Sequence, residues 1–288
     1  MIVSVKKILE EAKKGHYAVG AFNTVNLETT AAIIEAAAEL RSPVIVQMTE
    51  KTLDYAGGEA IFALMNEIAK STGKDIPIGF HLDHGKTLEV VEKAIGLGLT
   101  SVMYDGSRKL YSENLEITKM IVKLANEKGV CVQGELGNVP YLGEMQMETV
   151  KWEEYMTDPK QAKEFVEETG VVSLAVAIGN AHGFFRERSE PDFERLSAIS
   201  QVVSVPLVLH GASDWDDGRV QEVIDRGISC FNVDTAIRLA FLSGLRDALL
   251  SEEETDLRKV LGQAKDYTKK RVKEKIIAFR SNEKANYS

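Results

Sequence analysis

Residues 76–97 read IPIGFHLDHGKTLEVVEKAIGL, an apolar run that leads through two histidines into a helical pattern. The run at 76–82 is almost continuously apolar, which is typical of a strand buried on both faces of a parallel sheet. Residues 88–97 then repeat apolar side chains at helical spacing. This stretch predicts one strand followed by one helix, the repeating unit of parallel α/β proteins.

The same alternation recurs along the whole chain. Predicted strands lie at residues 17–22, 44–48, 76–82, 101–104, 130–134, 172–178, 207–209 and 228–233, with helical segments such as 29–40, 60–71, 113–127 and 161–168 between them. Eight such pairs match the count and length of a (β/α)8 TIM barrel, in the α/β class. A doubly wound sheet is the alternative. That fold normally opens with a glycine-rich turn after its first strand, where this chain has Asn23-Thr24.

The two ends of the chain add helices to this pattern. The start, MIVSVKKILEEAKK, predicts an amphipathic helix without a signal-peptide core. After the eighth strand come residues 236–250 and a strongly basic helix at 257–280, which exceeds what a barrel needs. No linker or low-complexity stretch divides the sequence. We therefore expect a single barrel domain over residues 1–288, with 254–281 as a C-terminal helical extension.

Composition narrows the classes of function. The 288 residues are 44% hydrophobic and 27% charged, within the globular range. A net charge of −9 argues against a nucleic-acid or anionic-membrane partner, which requires a basic face. No apolar run approaches the ~20 residues of a membrane span. Cys131 and Cys230 are the two cysteines and provide no disulfide framework. We expect a cytoplasmic protein with no nucleic-acid and no membrane partner.

Histidines collect at the carboxyl ends of predicted strands. His81 lies near the end of strand three and His84 just beyond it, while His182 follows strand six and His210 follows strand seven. A barrel builds its active site at this face, because the βα loops converge there. Three imidazoles from separate strands are typical of a catalytic Zn²⁺ site, and they also suit Co²⁺, Fe²⁺ or Mn²⁺. We predict that His84, His182 and His210 bind the metal and that His81 packs or supports a ligand. Hydrogen-bonded core histidines are the alternative.

Other polar groups surround these histidines in the sequence. Asp83 precedes His84, and an extended backbone would direct the two side chains differently. A carboxylate near a metal but not bound to it can shuttle a proton, or it can instead orient an imidazole. Turns at 179–183, 211–213 and 232–235 offer backbone N–H groups and hydroxyls, which bind phosphate without net positive charge. We therefore predict a phosphate-binding site beside the histidines.

The motifs occur in a characteristic order: HLDHGKT at 81–87, SVMYDGS at 101–107, LAVAIGNAHG at 174–183, PLVLHG at 206–211 and GISCFNVDT at 227–235. With them the sequence resembles the class II, metal-dependent ketose-bisphosphate aldolases, which act on fructose- or tagatose-1,6-bisphosphate. The resemblance runs from Tyr17 to about Phe279. It implies reversible cleavage of a phosphorylated ketose to dihydroxyacetone phosphate and glyceraldehyde 3-phosphate, through a metal-stabilised enediolate.

The resemblance also implies roles for individual residues. His84, His182 and His210 would hold the zinc, Asp83 would be the acid/base, and Asn232 would contact the enediolate. Asp105 and Glu135 match acidic positions near the metal, for an alternative metal position. Residues expected to surround the dihydroxyacetone-phosphate end, with Na⁺ or K⁺ nearby, are Gly183, Gly211, Ser213, Asp234 and Thr235. Asn23 and Thr49 are also predicted to bind substrate.

Several positions depart from the family pattern. The usual Gly-Gly-Ser-Gly reads Gly211-Ala212-Ser213-Asp214, so Asp214 adds negative charge where phosphate is expected. Glu144 is the match to a loop carboxylate that exchanges a proton on the ketone carbon, with a solvated loop acid as the alternative. Lys265 matches an arginine that reaches a distal phosphate across a subunit contact, although lysine loses the bidentate geometry.

These departures leave several functions open. The family association implies a homodimer or homotetramer. An aldolase acting on another sugar phosphate, a metal-dependent hydrolase or isomerase on the same barrel, and a catalytically silent sugar-phosphate-binding homologue remain as alternatives to the bisphosphate aldolase.

Overall fold

The computed structural model describes residues 1–140, 152–183, 190–250 and 254–286. Its strands are β1 Val19–Asn23, β2 Val44–Thr49, β3 Ile78–Gly85, β4 Ser101–Tyr104, β5 Cys131–Leu136, β6 Ser173–Val176, β7 Leu207–Leu209 and β8 Ile228–Val233. They are parallel and close into a barrel in chain order, with β8 hydrogen-bonded to β1. The predicted (β/α)8 barrel is confirmed.

Helices surround the strands and continue past the last one. They are α1 Val5–Lys14, α2 Leu27–Glu39, α3 Glu50–Ala56, α4 Gly58–Ser71, α5 Leu88–Leu97, α6 Tyr111–Glu127, α7 Pro159–Thr169, α8 Phe193–Val202, α9 Asp217–Asp225, α10 Thr235–Ala248 and α11 Leu257–Ala278. Within the described residues, no helix is both long and apolar enough to cross a bilayer.

The barrel interior is apolar at the amino-terminal ends of the strands and polar at their carboxyl ends. Helix α1 places Val5, Ile8 and Leu9 against inward-facing residues such as Val19 and Ile45, and this cluster fills the amino-terminal end. Toward the carboxyl end the buried side chains are polar: Asn23, Gln47, His81, Asp83, Gln133, Glu135, His210 and Asn232. Buried polar groups are costly unless they are paired, so their concentration at one end marks a functional site.

Two local differences from the predicted elements bear on that site. The first strand was expected at 17–22 but extends to Asn23, so the Asn23 side chain lies inside the barrel mouth. Helix α3 directly follows β2 and was not predicted. It is short, and the Thr49 hydroxyl caps it by accepting a hydrogen bond from the Thr52 backbone N–H.

Helix α11, the additional C-terminal helix expected from the sequence, packs against α10 and α2. Its basic side chains meet acidic ones on α2: Lys265 and Lys269 donate to the Glu35 carboxylate, and Lys269 and Lys273 pair with Glu39. The high charge of this helix is therefore matched by its neighbour, and α11 completes the outer layer.

Candidate metal centre and active site

An unusual backbone conformation at the end of β3 brings Asp83 and His84 into the same cavity. His84 adopts φ +52°, in the left-handed region, and the pairing of β3 with β4 shifts register between Leu82 and Gly85. Asp83 and His84 both line the cavity, and Asp83 Oδ1 lies 3.8 Å from His84 Nε2. The expectation that an extended backbone directs them differently was wrong. A left-handed residue costs roughly 1–2 kcal/mol, a strain that collects at functional sites.

The three predicted histidines converge above the barrel. His84 Nε2 lies 2.9 Å from His210 Nδ1. The ring centroid of His182 is 5.4 Å from that of His84 and 6.1 Å from that of His210. One nitrogen from each ring falls within 4.8 Å of the others. Neighbouring ligands of a tetrahedral Zn²⁺ stand about 3.3 Å apart for Zn–N bonds of about 2.0 Å, so this spacing fits one small cation.

Two of these imidazoles stay neutral, as metal binding requires. Burial, together with the neighbouring His84, lowers the pKa of His182 to about 3. Burial, together with His84, holds the pKa of His210 well below its ordinary value. His84 differs. Burial would lower its pKa, but Asp83, Asp105 and Glu135 outweigh that effect and raise it to about 10. A divalent cation can replace the positive charge that these carboxylates hold there.

Acidic residues form a second side of this centre. Asp105 Oδ2 accepts a hydrogen bond from His84 Nδ1 at 2.8 Å, which fixes the ring. Glu135 Oε2 lies 3.8 Å from the same nitrogen and has no hydrogen-bond partner among the described residues. Burial raises the pKa of Glu135 well above its ordinary value. His84, Asp105 and Glu135 thus form a further set with the spacing of metal ligands. The assignment of Asp105 and Glu135 to an alternative metal position stays a prediction.

Asp83 is held by two asparagines. Asn23 Nδ2 donates to Asp83 Oδ2 and Asn232 Nδ2 to Asp83 Oδ1, each at 2.9 Å. Gln47 Nε2 in turn donates to Asn23 Oδ1 at 2.7 Å, which sets the orientation of that amide. Burial would raise the pKa of Asp83, but His84, His210 and Asn23 outweigh it and lower the pKa. The group is therefore a fixed, ionised carboxylate that can accept a proton.

The cavity above these groups has a volume of about 670 Å³, and the predicted substrate-binding residues apart from Lys265 line it. These are Asn23, Thr49, Gly183, Gly211, Ser213, Asp234 and Thr235. Helix α10 begins at Thr235, and its N-cap residue Asp234 pairs with Arg238 rather than with the first N–H groups of the helix. Such a helix N-terminus attracts phosphate oxygens.

Four exposed cationic side chains on the cavity wall were not anticipated as binding residues: Lys51, Lys86, Arg108 and Arg238. Arg238 carries the clearest signal in the sequence. It follows Asp234 by four residues, so once a helix is placed after strand eight the two side chains meet on one face. Lys51 lies on the short helix α3, and Arg108 lies in the loop between β4 and α6. The position of both segments depends on the tertiary fold.

Other predicted residues lie elsewhere. Lys265 does not belong to the described cavity wall; its Nζ is 2.8 Å from Glu35 Oε1 on α2. Its role across a subunit contact stays a prediction. Glu144 lies outside the described residues. His81 is buried, and its Nδ1 lies 2.8 Å from Ser101 Oγ. Burial lowers the pKa of His81 to about 4, so it remains neutral in the barrel core.

Sequence and structure comparisons relate this chain to metal-dependent aldolases. The family model for class II fructose-bisphosphate aldolase matches residues 3–284. Among solved structures, the YdjI aldolase from Escherichia coli K12 is 32% identical over 99% of this chain and 100% of that chain, with a TM-score of 0.88. A proposed fructose-1,6-bisphosphate aldolase from Coccidioides immitis is 28% identical, over 97% and 96% of the two chains, with a TM-score of 0.86. A fructose-bisphosphate aldolase from Campylobacter jejuni, 20% identical over 99% and 97%, shares the fold with a TM-score of 0.84.

Proposed function

The chain belongs to the class II fructose-bisphosphate aldolase family, and on that premise we propose that it is a Zn²⁺-dependent aldolase of phosphorylated ketoses. It would cleave a ketose bisphosphate of the fructose-1,6- or tagatose-1,6- class reversibly to dihydroxyacetone phosphate and glyceraldehyde 3-phosphate. The observation that carries the proposal is the convergence of His84, His182 and His210 beside a buried, ionised Asp83. A divalent cation bound by these imidazoles would supply Lewis acidity at the ketone oxygen, where negative charge develops.

Asp83 would act on the substrate hydroxyl. In the cleavage direction its carboxylate takes the proton from the hydroxyl on the carbon that becomes the aldehyde. The adjacent carbon–carbon bond then breaks, and its electron pair passes to the ketone fragment as an enediolate. Asn23 and Asn232 hold both carboxylate oxygens at 2.9 Å, so Asp83 needs no reorganisation before it accepts the proton. Asn232 is also the residue that we assign to the enediolate.

The reaction requires a second proton transfer, to the carbon of the ketone fragment. We assign this step to Glu144 from the resemblance alone, because that residue lies outside the described residues. Asp105 supports the metal centre through its 2.8 Å bond to His84, and Glu135 provides a carboxylate for an alternative metal position.

Phosphate would bind at the opposite wall of the cavity. Ser213, Thr235 and the start of α10 offer hydroxyl and backbone N–H donors, and Gly183 and Gly211 let the chain approach a ligand closely. A Na⁺ or K⁺ ion near this phosphate would offset Asp234. Asp214, the departure from the family sequence, is not among the described residues that line the cavity.

The oligomeric state is also a proposal. Leu239 and Leu242 on α10 are 41% and 43% exposed, and Leu249 is 62% exposed. Leu239 and Leu242 lie on α10, the helix that starts at the cavity wall, and Leu249 directly follows that helix. We infer that this apolar strip contacts a second copy of the chain in a homodimer, or in a homotetramer built from it. Light scattering coupled to gel filtration tests this, and a monomer at micromolar concentration would contradict it.

A substrate panel run on metal-loaded protein tests the activity. Fructose-1,6-, tagatose-1,6- and sedoheptulose-bisphosphates are compared with ketose monophosphates, and triose phosphate release is followed with and without a chelator. We expect chelator-sensitive release of dihydroxyacetone phosphate from a bisphosphate. Activity on another sugar phosphate alone would replace the proposed substrate. Stoichiometric metal with no turnover on any ketose phosphate would support a silent binding protein instead.

A further inference from the structure

His182 is the proposed ligand that no strand holds directly. His84 lies within β3, and His210 follows immediately after β7. His182, in contrast, lies six residues beyond Val176, the last residue of β6. A ligand on a loop needs other contacts to fix it, because metal sites depend on ligand positions accurate to a fraction of an ångström.

The Asn180 side chain provides one of those contacts. Asn180 is 1% exposed, and its amide is used at both ends. Its Oδ1 accepts a hydrogen bond from the Ile178 backbone N–H at 2.7 Å, and its Nδ2 donates to the His210 carbonyl oxygen at 2.9 Å. One side chain thus ties the segment that carries His182 to the backbone of another proposed ligand.

Gly211 provides a second, independent contact from the side of β7. It has φ +65°, and a Cβ atom there would lie 2.5 Å from the carbonyl carbon and oxygen of Ala181 and 3.0 Å from the backbone nitrogen of His182. Only a residue without a side chain permits this approach of the two backbones. On its other side, the His182 N–H donates to the Pro140 carbonyl at 2.9 Å.

We propose that Asn180 and Gly211 are positioning residues that lock His182 to His210, so that the two imidazoles meet a metal as one rigid unit. We call the contact of Asn180, Ala181 and His182 with His210 and Gly211 the β6–β7 joint. Its function is to set the spacing of the two rings, whose centroids are 6.1 Å apart, while His84 approaches from β3. This inference rests on the proposed function, because it assumes that the histidines bind a divalent cation.

The test measures metal binding directly rather than turnover. Asn180→Ala removes the hydrogen bonds of this side chain, including those to Ile178 and His210. Gly211→Ala forces the two backbones apart while it leaves all polar groups in place. For each variant, the Zn²⁺ dissociation constant is measured by competition with a chromophoric chelator, and the visible spectrum of the Co²⁺ form reports ligand geometry. We expect about 10–100-fold weaker Zn²⁺ binding and an altered Co²⁺ spectrum in both variants.

Matched controls lie at the opposite end of β6. Thr169 is buried, donates to the Phe165 carbonyl and accepts from the Val171 N–H, so Thr169→Val also removes a local side-chain-to-backbone pair. Gly170 has φ +73°, and its nearest heavy atom is 3.9 Å from an added Cβ, so Gly170→Ala costs backbone strain without a clash. Both controls should keep the dissociation constant within about threefold of the unaltered chain.

The possible results separate the two proposals. An unaltered chain that binds no divalent cation overturns the metal-dependent function, and the joint with it. A different result overturns the joint alone. In that result the unaltered chain binds Zn²⁺, and the folded Asn180 and Gly211 variants bind Zn²⁺ equally well or lose no more affinity than the controls. If circular dichroism shows both variants unfolded at 25 °C while the controls fold, the joint is a determinant of global folding, and the proposal is likewise overturned.

Discussion

Asp83→Asn is expected to abolish most of the cleavage activity while the metal centre persists. The substitution keeps the size of a 5% exposed side chain, but it removes the charge that accepts the proton. General acid–base catalysis contributes about 10²–10⁴-fold to a rate, which corresponds to about 2.7–5.4 kcal/mol of transition-state stabilisation. We therefore expect kcat for ketose bisphosphate cleavage to fall by that factor.

The same substitution also weakens metal binding, so the assay must separate the two effects. Asp83 Oδ1 lies 3.8 Å from His84 Nε2, close to any cation that this ring binds. Two unit charges about 4 Å apart interact by about 4 kcal/mol at an effective dielectric constant of about 20. Turnover is therefore compared at equal metal occupancy, with bound Zn²⁺ measured in each sample.

Asp158→Asn provides the control for the change of an acid to its amide. Asp158 is exposed and caps α7 by accepting from the Lys160 and Gln161 N–H groups, and asparagine caps a helix equally well. This variant should retain full activity. If Asp83→Asn at equal metal occupancy keeps kcat within about tenfold of the unaltered chain, Asp83 is not the acid/base. If activity falls only in proportion to lost metal, Asp83 supports the centre instead.

Three further predictions follow from the site and from α11. Removal of the metal by a chelator should abolish cleavage. It should also lower the free energy of unfolding by about 2.7 kcal/mol, relative to protein in free Zn²⁺ at 100 times its dissociation constant. Full turnover in the metal-free chain would contradict the proposed function. Burial would raise the pKa of Glu35, but Lys265 and Lys269 outweigh it and lower the pKa below 4.5. Their ion pairs should therefore stabilise the fold above about pH 4.5 and lose this contribution as the pH falls through the depressed folded-state pKa. Urea unfolding of Glu35→Gln should show a loss of about 0.5–1 kcal/mol at pH 7 that shrinks toward pH 3, and a loss independent of pH would refute the ion-pair explanation. Lys265→Ala should raise KM for a bisphosphate but not for a monophosphate of the same ketose; equal KM values with reduced stability would assign Lys265 to the Glu35 pair alone.

The barrel could be predicted because each of its strands is a short apolar run bounded by turn residues. Residues 207–209, for example, were predicted as a strand and form β7 with the same bounds. The convergence of the histidines followed from the same logic, since the carboxyl ends of parallel strands meet at one face. Residues that directly follow predicted strands can therefore be placed at the same face of the barrel even when their side-chain contacts are unknown.

Features that depend on backbone irregularity or on distant partners could not be predicted in this way. The left-handed conformation of His84 breaks the alternation on which the orientation of Asp83 was based. Helix α3 has seven residues, too few to show a helical period clearly. The pairing of Lys265 with Glu35 joins residues 230 positions apart, and a local sequence pattern cannot predict such a contact.

The net charge of −9 and a cavity suited to anionic substrates are compatible because binding depends on the local field. Charges separated by more than about 8–10 Å of solvent are largely screened at physiological ionic strength. Many of the acidic residues lie on outer helices, and some of them are already paired, as Glu35 and Glu39 are with the lysines of α11. Around the cavity mouth, in contrast, lie Lys51, Lys86, Arg108 and Arg238. The acidic exterior therefore leaves the cation-lined mouth able to attract a phosphorylated ketose, while Asp83 and Asp105 below it, whose pKa values are lowered, hold negative charge beside the histidines.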